Sequence, residues 1–168
     1  MTIKFGVKQT VNFNPFVPLA GKMPCKGQKG VNILSAIEQA KKCKVDVPVG
    51  CVIKKDGVII ASAHNQREEN NDATAHAEML AIREAQRVLN TSRLQGCDMY
   101  VTLEPCPMCA WALVESRIST VYFGSYNPNY GALLSNPLKL PKSLKIYGGI
   151  EEEVCDKILE KFFKDIRN

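Results

Sequence analysis

The chain has 168 residues, 45% of them hydrophobic and 23% charged, with a formal net charge of +5. This length favours one domain, and the composition is that of an ordinary soluble globular protein. No apolar run approaches the ~18 residues of a membrane span, and the N-terminus lacks a secretory signal pattern, so we predict a cytoplasmic protein without membrane contact.

The first 30 residues differ in charge from the rest. They hold five lysines and no acidic residue, whereas residues 31–168 carry 17 basic and 17 acidic side chains. We therefore predict a basic N-terminal extension over 1–30 and a folded domain over 31–168. A basic arm suits an acidic partner such as nucleic acid, and a merely solvated extension is equally compatible with this composition.

The cysteine count is odd, at seven. In a reducing cytosol this argues against a disulfide framework and for metal binding or burial. Cys51 and Cys97 lie in strand-like runs, and we interpret them as small core residues. Cys25, Cys43 and Cys155 receive the same interpretation.

The first predicted elements are a helix and a hairpin. Apolar residues at helical spacing predict a helix over 31–44. Two strand-like runs, 49–55 and 58–63, flank Asp56-Gly57. Because this dipeptide suits the positive φ angles of a tight turn, the pattern predicts a β-hairpin.

A βαβ unit is predicted in the middle of the chain. A helix over 76–89 precedes a strand over 97–103, which is followed by a short helix over 107–116 and a strand over 120–123. The turn-rich segment "SYNPNYG" comes next.

The C-terminal part completes the sheet and its cover. "LKIYGG" predicts another strand, and the pattern of 151–166 predicts a final helix. Its expected core stripe consists of residues four apart: Val154, Ile158, Phe162 and Ile166. Alternating strands and helices predict an α/β fold with helices on both faces of a sheet.

Two short segments carry the chemistry. "TAHAEM" begins one predicted helix with His76 and Glu78, and "PCPMC" begins another with Cys106 and Cys109. Cysteines three apart share a helix face, and a helix N-terminus favours thiolates. His76 and Glu78 would diverge by about 200° inside a helix. In a first turn, both side chains can reach one point.

One histidine and two cysteines give zinc three ligands and leave a fourth position for water, as in catalytic zinc sites. Zinc lowers the pKa of such a water to about 7. Glu78, which is not a ligand, is the candidate for proton transfer. A lone C-x-x-C is often a redox or structural pair, but H-x-E followed by P-C-x-x-C is the signature of zinc nucleobase deaminases.

Several segments together resemble the bacterial tRNA adenosine deaminases over about 31–168. They are "DVPVGCVI", "DATAHAEMLAIREA", "MYVTLEPCPMCAWALVESRI" and "VYFGSYNPNYGAL". The resemblance implies a cytidine-deaminase-like three-layer α/β/α sandwich with a mixed central sheet, and a homodimer with one zinc per chain. It also implies that wobble adenosine in the tRNA anticodon arm is converted to inosine.

The resemblance assigns the site residues. It implies that His76, Cys106 and Cys109 hold zinc and that Glu78 moves protons. The substrate contacts that it implies are Asn65, Ala77, Asn127 and Phe163. For Asn65 the alternative is a turn-closing role. Phe162 lies on the apolar stripe, and we expect it in the core; His64 is expected to be a loop or core histidine.

Asn127 departs from the commonest bacterial pattern, because bacterial members usually carry Asp there and eukaryotic catalytic subunits carry Asn. An Asp can accept a hydrogen bond from a ribose 2′-OH, the group that separates RNA from DNA. We therefore expect Asn127 to tolerate deoxyribose better than an Asp would.

Other functions are compatible with parts of this pattern. A deaminase of a free base or nucleotide (guanine, cytosine or dCMP) would share the metal site. A zinc-stabilised RNA-binding module would not need Glu78 and would close the fourth metal position. A thiol oxidoreductase would not need His76.

Overall fold

The computed structural model describes the backbone of residues 26–167 and the side chains of residues 32–167. Residues 1–25, including Cys25 and most of the predicted extension, lie outside the described residues. In chain order the elements are α1 (Lys26–Ala40), β1 (Gly50–Lys55), β2 (Val58–His64), α2 (Arg67–Asn70), α3 (Ala77–Leu89), β3 (Cys97–Leu103), α4 (Pro107–Glu115), β4 (Thr120–Ser125), β5 (Lys145–Tyr147) and α5 (Glu152–Ile166).

The five strands form one mixed sheet in the order β2-β1-β3-β4-β5. Strand β1 pairs antiparallel with both β2 and β3. The β3–β4 and β4–β5 pairs are parallel, and α4 provides the crossover between β3 and β4. The predicted mixed sheet and its βαβ unit are therefore confirmed.

Helices cover both faces of the sheet. Side chains alternate between the two faces along each strand, so neighbouring residues of one strand belong to different cores. On β3, Met99 and Val101 join a core that includes buried residues of α3 and α4. Tyr100 between them belongs to a second cluster with Ile33 of α1 and Cys155 of α5. The predicted α/β/α sandwich is confirmed.

Three tyrosines from neighbouring strands stack on the α1/α5 face. The ring centroids of Tyr100 and Tyr122 are 4.7 Å apart, and those of Tyr122 and Tyr147 are 5.1 Å apart. Such stacked pairs add stability beyond the area that they bury. This row binds the three parallel strands together under the helices.

The hairpin turn has the predicted chemistry. Asp56 has φ 49° and Gly57 has φ 81°, which are the positive angles that a two-residue turn requires. Strand β3 has the predicted bounds, and α3 and α4 begin within one residue of the predicted positions. The four-residue helix α2 was not predicted.

Two helices differ from the sequence prediction. Helix α1 begins at Lys26, five residues before the predicted start, and ends at Ala40, four residues before the predicted end. In α5 only part of the expected stripe faces the core: Ile158 packs against it, whereas Val154 and Ile166 are 39% and 64% exposed. The buried residue of this helix is Cys155. Residues four apart drift by about 40° per step around a helix, so a long i, i+4 row winds away from the core.

The cysteine predictions are largely confirmed. Cys51, Cys97 and Cys155 are buried, and Cys43 is half-buried. Burial raises the pKa of the Cys155 thiol to about 12, as expected of an inert structural cysteine. Among the described helices, none combines the length and apolar character that crossing a bilayer requires.

Candidate active site

His76 lies immediately before helix α3, at its N-cap. Its backbone is extended, with φ −70° and ψ 149°, so it does not share the helical rotation of the residues that follow. Glu78 is in the first turn of α3 and is buried, at 4% exposure. This change of backbone geometry between the two residues allows both side chains to point into one site.

Cys106 occupies the equivalent N-cap position of α4, again with an extended backbone. Pro107 follows in the first turn, where its missing N–H removes no helical hydrogen bond. Cys109 lies within that helix and is buried. Two helix N-termini therefore meet at the predicted site, and their positive ends favour thiolate ligands.

The three predicted ligands converge. Nδ1 of His76 is 3.7 Å from Sγ of Cys106 and 3.6 Å from Sγ of Cys109. A tetrahedral zinc ion with Zn–S of about 2.3 Å and Zn–N of about 2.0–2.1 Å separates nitrogen and sulfur ligands by about 3.6 Å. The donor set and its spacing therefore fit zinc, and it is the one such cluster found among the described residues.

The ionisable groups at this cluster perturb one another. The hydrogen bond with Cys109 lowers the pKa of Cys106 to about 4, assisted by His76. The same contact raises the pKa of Cys109. The His76 pKa is raised because its ring contacts Cys106. A thiolate is thus favoured at Cys106, which is the form that binds a metal.

Burial raises the pKa of Glu78 to about 6, and its carboxyl group contacts the Cys109 thiol. A carboxyl group with a pKa near neutrality can both accept and release a proton at pH 7. Glu78 therefore has the position and the acidity of a general acid–base group beside a metal site.

Asn65 joins the first turn of α3 to the segment before β1. Its Oδ1 accepts a hydrogen bond from the Ala77 N–H at 2.9 Å, and its Nδ2 donates to the Val47 carbonyl at 3.0 Å. Asn65 is only 7% exposed. The structure thus brings Asn65 and Ala77 to the metal end of α3, and their substrate contacts remain predictions.

Phe163 on α5 and Asn65 both line a small cavity of about 250 Å³. Phe162 lines the same cavity and packs edge-on against Phe163, with ring centroids 5.5 Å apart. The expectation that Phe162 belongs to the core is wrong, because it is half-buried and faces this opening. His64 was expected in a loop or in the core, and this is wrong, because it is the last residue of β2 and is half-buried.

Asn127 lies in a loop after β4, and its side chain shapes that loop. Its Oδ1 accepts the Tyr130 N–H at 3.1 Å. Its own N–H donates to the buried carboxylate of Glu104 at 3.1 Å. The role of Glu104 was not predicted from the sequence. The feature that could have indicated it is its position two residues before the proposed metal ligand Cys106.

Asp46 is a second buried carboxylate that sequence reasoning missed. It is 4% exposed, lines the cavity of Phe163, and accepts backbone hydrogen bonds from Glu68 and Glu69. These bonds cap the short helix α2 beside Asn65. No local pattern indicates this contact, because the residues that make it are more than 20 positions apart.

Comparison with known proteins agrees with this geometry. Residues 28–125 match the cytidine and deoxycytidylate deaminase zinc-binding region. The tRNA-specific adenosine deaminase of Aquifex aeolicus (strain VF5) is 48% identical over 79% of this chain and 92% of its own length. The chain belongs to the tRNA-specific adenosine deaminase family. The family resemblance, the zinc cofactor and the deaminase class predicted from sequence are confirmed.

Other members of the family agree. The tRNA-specific adenosine deaminase of Bacillus subtilis (strain 168) is 46% identical over 79% of this chain and 86% of its own length. A solved structure from work on A-to-I editing by tRNA:A34 deaminases at the wobble position is similar with a TM-score of 0.73 and 38% identity. The match covers 77% of this deaminase and 99% of the solved chain. The cytidine-deaminase-like fold is therefore also confirmed.

Proposed function

We propose that this deaminase converts the wobble adenosine of the tRNA anticodon loop to inosine. The observation that carries the proposal is the buried carboxyl group of Glu78 beside a histidine and two cysteines at zinc-ligand spacing. The overall reaction consumes water and releases ammonia. The family relationship supports adenosine in tRNA as the substrate.

In this proposal, His76, Cys106 and Cys109 hold zinc. Bound zinc supplies a nucleophile from water at neutral pH. Glu78 accepts the proton that water loses and passes it to the adenine ring nitrogen next to the amino-bearing carbon. The water oxygen bonds to the amino-bearing carbon. Glu78 then takes the remaining proton of that oxygen and delivers it to the amino group, so that the C–N bond breaks, ammonia leaves and the carbonyl of inosine forms.

Substrate binding is assigned to Asn65, Ala77, Asn127 and Phe163. Asn65 has a second amide hydrogen beyond the one that bonds Val47, and it borders the cavity that Phe163 lines. Phe163 is 45% exposed, and an exposed aromatic ring is a platform on which a base of single-stranded RNA can stack. The metal cluster does not line this cavity, but Asn65 connects the two, since it lines the cavity and bonds the Ala77 N–H beside His76. A loop nucleotide can be extruded towards the cluster at modest cost.

We also propose a cytoplasmic homodimer that binds the anticodon arm of tRNA. The predicted extension over 1–30 is shortened to residues 1–25, because α1 begins at Lys26, and we propose that these residues act as a basic extension. Trp111 on α4 is 46% exposed, and large exposed aromatic residues are enriched at protein interfaces. Analytical ultracentrifugation tests the dimer: sedimentation as a dimer supports it, and a monomer at micromolar concentration contradicts it.

An inosine assay tests the substrate. The purified zinc-loaded protein is given an RNA anticodon stem-loop with adenosine at the wobble position, and separately adenosine, guanine, cytosine and dCMP. Each substrate is assayed for its own deamination product: inosine from adenosine, xanthine from guanine, uracil from cytosine and dUMP from dCMP. We expect a product only from the stem-loop, as inosine. A matched stem-loop with the adenosine moved into the stem is the control. Deamination of a free base or nucleotide with no reaction on the stem-loop would contradict the proposal.

A further inference from the structure

The segment between Tyr126 and Asn136, the 126–136 loop, contains no helix or strand, yet its backbone and side chains make many hydrogen bonds. It follows β4 and contains Asn127, which is proposed to contact substrate. Besides hydrogen bonds within the loop, several bonds reach it from the carboxylate of Glu104, a side chain outside the loop that is 2% exposed.

The carboxylate of Glu104 accepts hydrogen bonds from both ends of the loop, and both of its oxygens take part. Oε1 accepts the backbone N–H groups of Leu133, Leu134 and Ser135, at 3.1, 2.6 and 2.8 Å. Oε2 accepts the Asn127 N–H at 3.1 Å and the Ser135 hydroxyl. The loop thus encloses one buried carboxylate, which has no ion-pair partner among the described residues.

Gly131 allows this close approach. A Cβ atom added at Gly131 would overlap the Glu104 carboxyl group and would lie 2.6 Å from the Asn127 carbonyl oxygen. The middle of the loop therefore packs directly on the carboxylate that its two ends bind. Any larger residue at position 131 has to push the loop away from Glu104.

Glu104 also lies next to the metal-binding N-terminus of α4. It follows β3 directly and precedes Cys106 by two residues. The Pro105 carbonyl between them accepts the Ala132 N–H at 2.9 Å. The chain segment that leads into α4 is therefore bonded along its length to the 126–136 loop.

We propose that Glu104 is a positioning residue that fixes the 126–136 loop, and with it Asn127, at a set distance from the metal-binding start of α4. It acts on substrate binding through the loop and does not touch the reacting atoms. The inference deepens the proposed function and rests on it, since the loop is taken to face the target nucleotide.

A carboxylate is required because all five groups that reach Glu104 are donors. A glutamine has the same shape but presents one acceptor oxygen and one NH₂ group. The NH₂ group would face N–H donors, and buried donors without an acceptor are strongly unfavourable. Glu104→Gln therefore releases part of the loop with little change in volume.

The first test combines three measurements on Glu104→Gln, with the surface change Glu115→Gln as the matched control. We expect one zinc per chain by metal analysis. Amide exchange at residues 127 and 133–135 should be at least tenfold faster, while exchange in β3 and β4 stays unchanged. The KM for the RNA stem-loop should rise about tenfold, with kcat within twofold of the unmodified protein.

Gly131→Ala provides an independent second test, because it disturbs the same contact from the loop side and leaves the carboxylate intact. We expect the same pattern as for Glu104→Gln: zinc retained, faster loop exchange, and a higher KM. Ser135→Ala removes only the hydroxyl bond and leaves four N–H bonds, so its KM should rise less, by about twofold.

Opposite results would overturn the inference. Unchanged exchange and KM in both variants would mean that the carboxylate does not fix the loop. Loss of zinc, a fall in kcat alone, or global unfolding of Glu104→Gln would assign Glu104 to the metal site or the core instead. If the unmodified protein does not deaminate the stem-loop, the proposed function fails, whereas the exchange measurement still decides whether Glu104 holds the loop.

Discussion

The metal-binding side and the substrate-facing side of the site are built in different ways. His76 and Cys106 stand at the N-caps of two regular helices, and Cys109 and Glu78 lie within the first turns of those helices. Asn127, by contrast, lies in an irregular loop held by a side chain 23 residues away. Each metal-binding side chain is thus oriented by the local geometry of a helix start, whereas the position of Asn127 depends on hydrogen bonds to a distant side chain.

Changes on the metal-binding side should have the largest effects. In Cys106→Ala or Cys109→Ala we expect the zinc content to fall far below one per chain. Deamination should fall by at least about 10³-fold, because no nucleophile forms readily from water at pH 7 without the metal. The thermal midpoint should fall as well, since metal binding stabilises the folded state. Metal analysis, an inosine assay and calorimetry measure the three quantities.

Cys97→Ala is the matched control, because Cys97 is a buried cysteine at the opposite end of β3. It should keep its zinc and its activity, with a modest loss of stability. Full zinc content in either Cys106→Ala or Cys109→Ala would show that these residues are not the ligands.

Glu78→Gln separates proton transfer from metal binding on the same side. It removes no proposed ligand, so zinc should stay at one per chain. Deamination should fall by about 10²- to 10⁴-fold, the usual contribution of a general acid–base group. Glu84→Gln, a change at a partly exposed site on the same helix, is the control and should be silent. Normal turnover in Glu78→Gln would contradict the proposed mechanism.

The difference between the two sides also explains which features are predictable from the sequence. Helix starts have local signals: Pro107 after Cys106, and short motifs at fixed spacing. The zinc ligands and Glu78 could therefore be proposed from the sequence alone. The alternation of strands and helices likewise predicted helices on both faces of the sheet, and Asp56-Gly57 predicted the hairpin turn.

Long-range contacts had no such signal. Glu104 and Asp46 resemble ordinary acidic residues in the sequence, and only the folded chain shows each of them buried against backbone N–H groups. The buried face of α5 was misjudged because spacing alone does not fix which side of a helix meets the sheet. Phe162 consequently faces a cavity and not the core.

A change on the substrate-facing side should alter selectivity with little effect on chemistry. In Asn127→Asp, one carboxylate oxygen can still accept the Tyr130 N–H, so the loop should keep its shape. The other atom changes from a donor to an acceptor that suits a ribose 2′-OH. The RNA-to-DNA turnover ratio on matched hairpins should rise about fivefold, which corresponds to about 1 kcal/mol for one hydrogen bond.

The comparison needs the same loop sequence in both hairpins and the same salt concentration throughout. Asn129→Asp, a change at an exposed position in the same loop, controls for the added charge. A turnover ratio that stays flat or falls in Asn127→Asp would remove the proposed role of Asn127 in sugar recognition.

The smallest effect is expected from the basic N-terminal segment, which should contribute to binding and not to chemistry. Helix α1 begins at Lys26, so a deletion of residues 1–25 removes Lys4, Lys8 and Lys22 without shortening that helix. Three lysines can release about two to three counterions from RNA, so the slope of log affinity against log salt should flatten by about that amount. The single-turnover rate at saturating RNA should be unchanged.

Replacing the three lysines with glutamine in the full chain is the matched variant, and it should reproduce the shallower slope. A slope that is the same with and without the segment would reduce residues 1–25 to an inert extension.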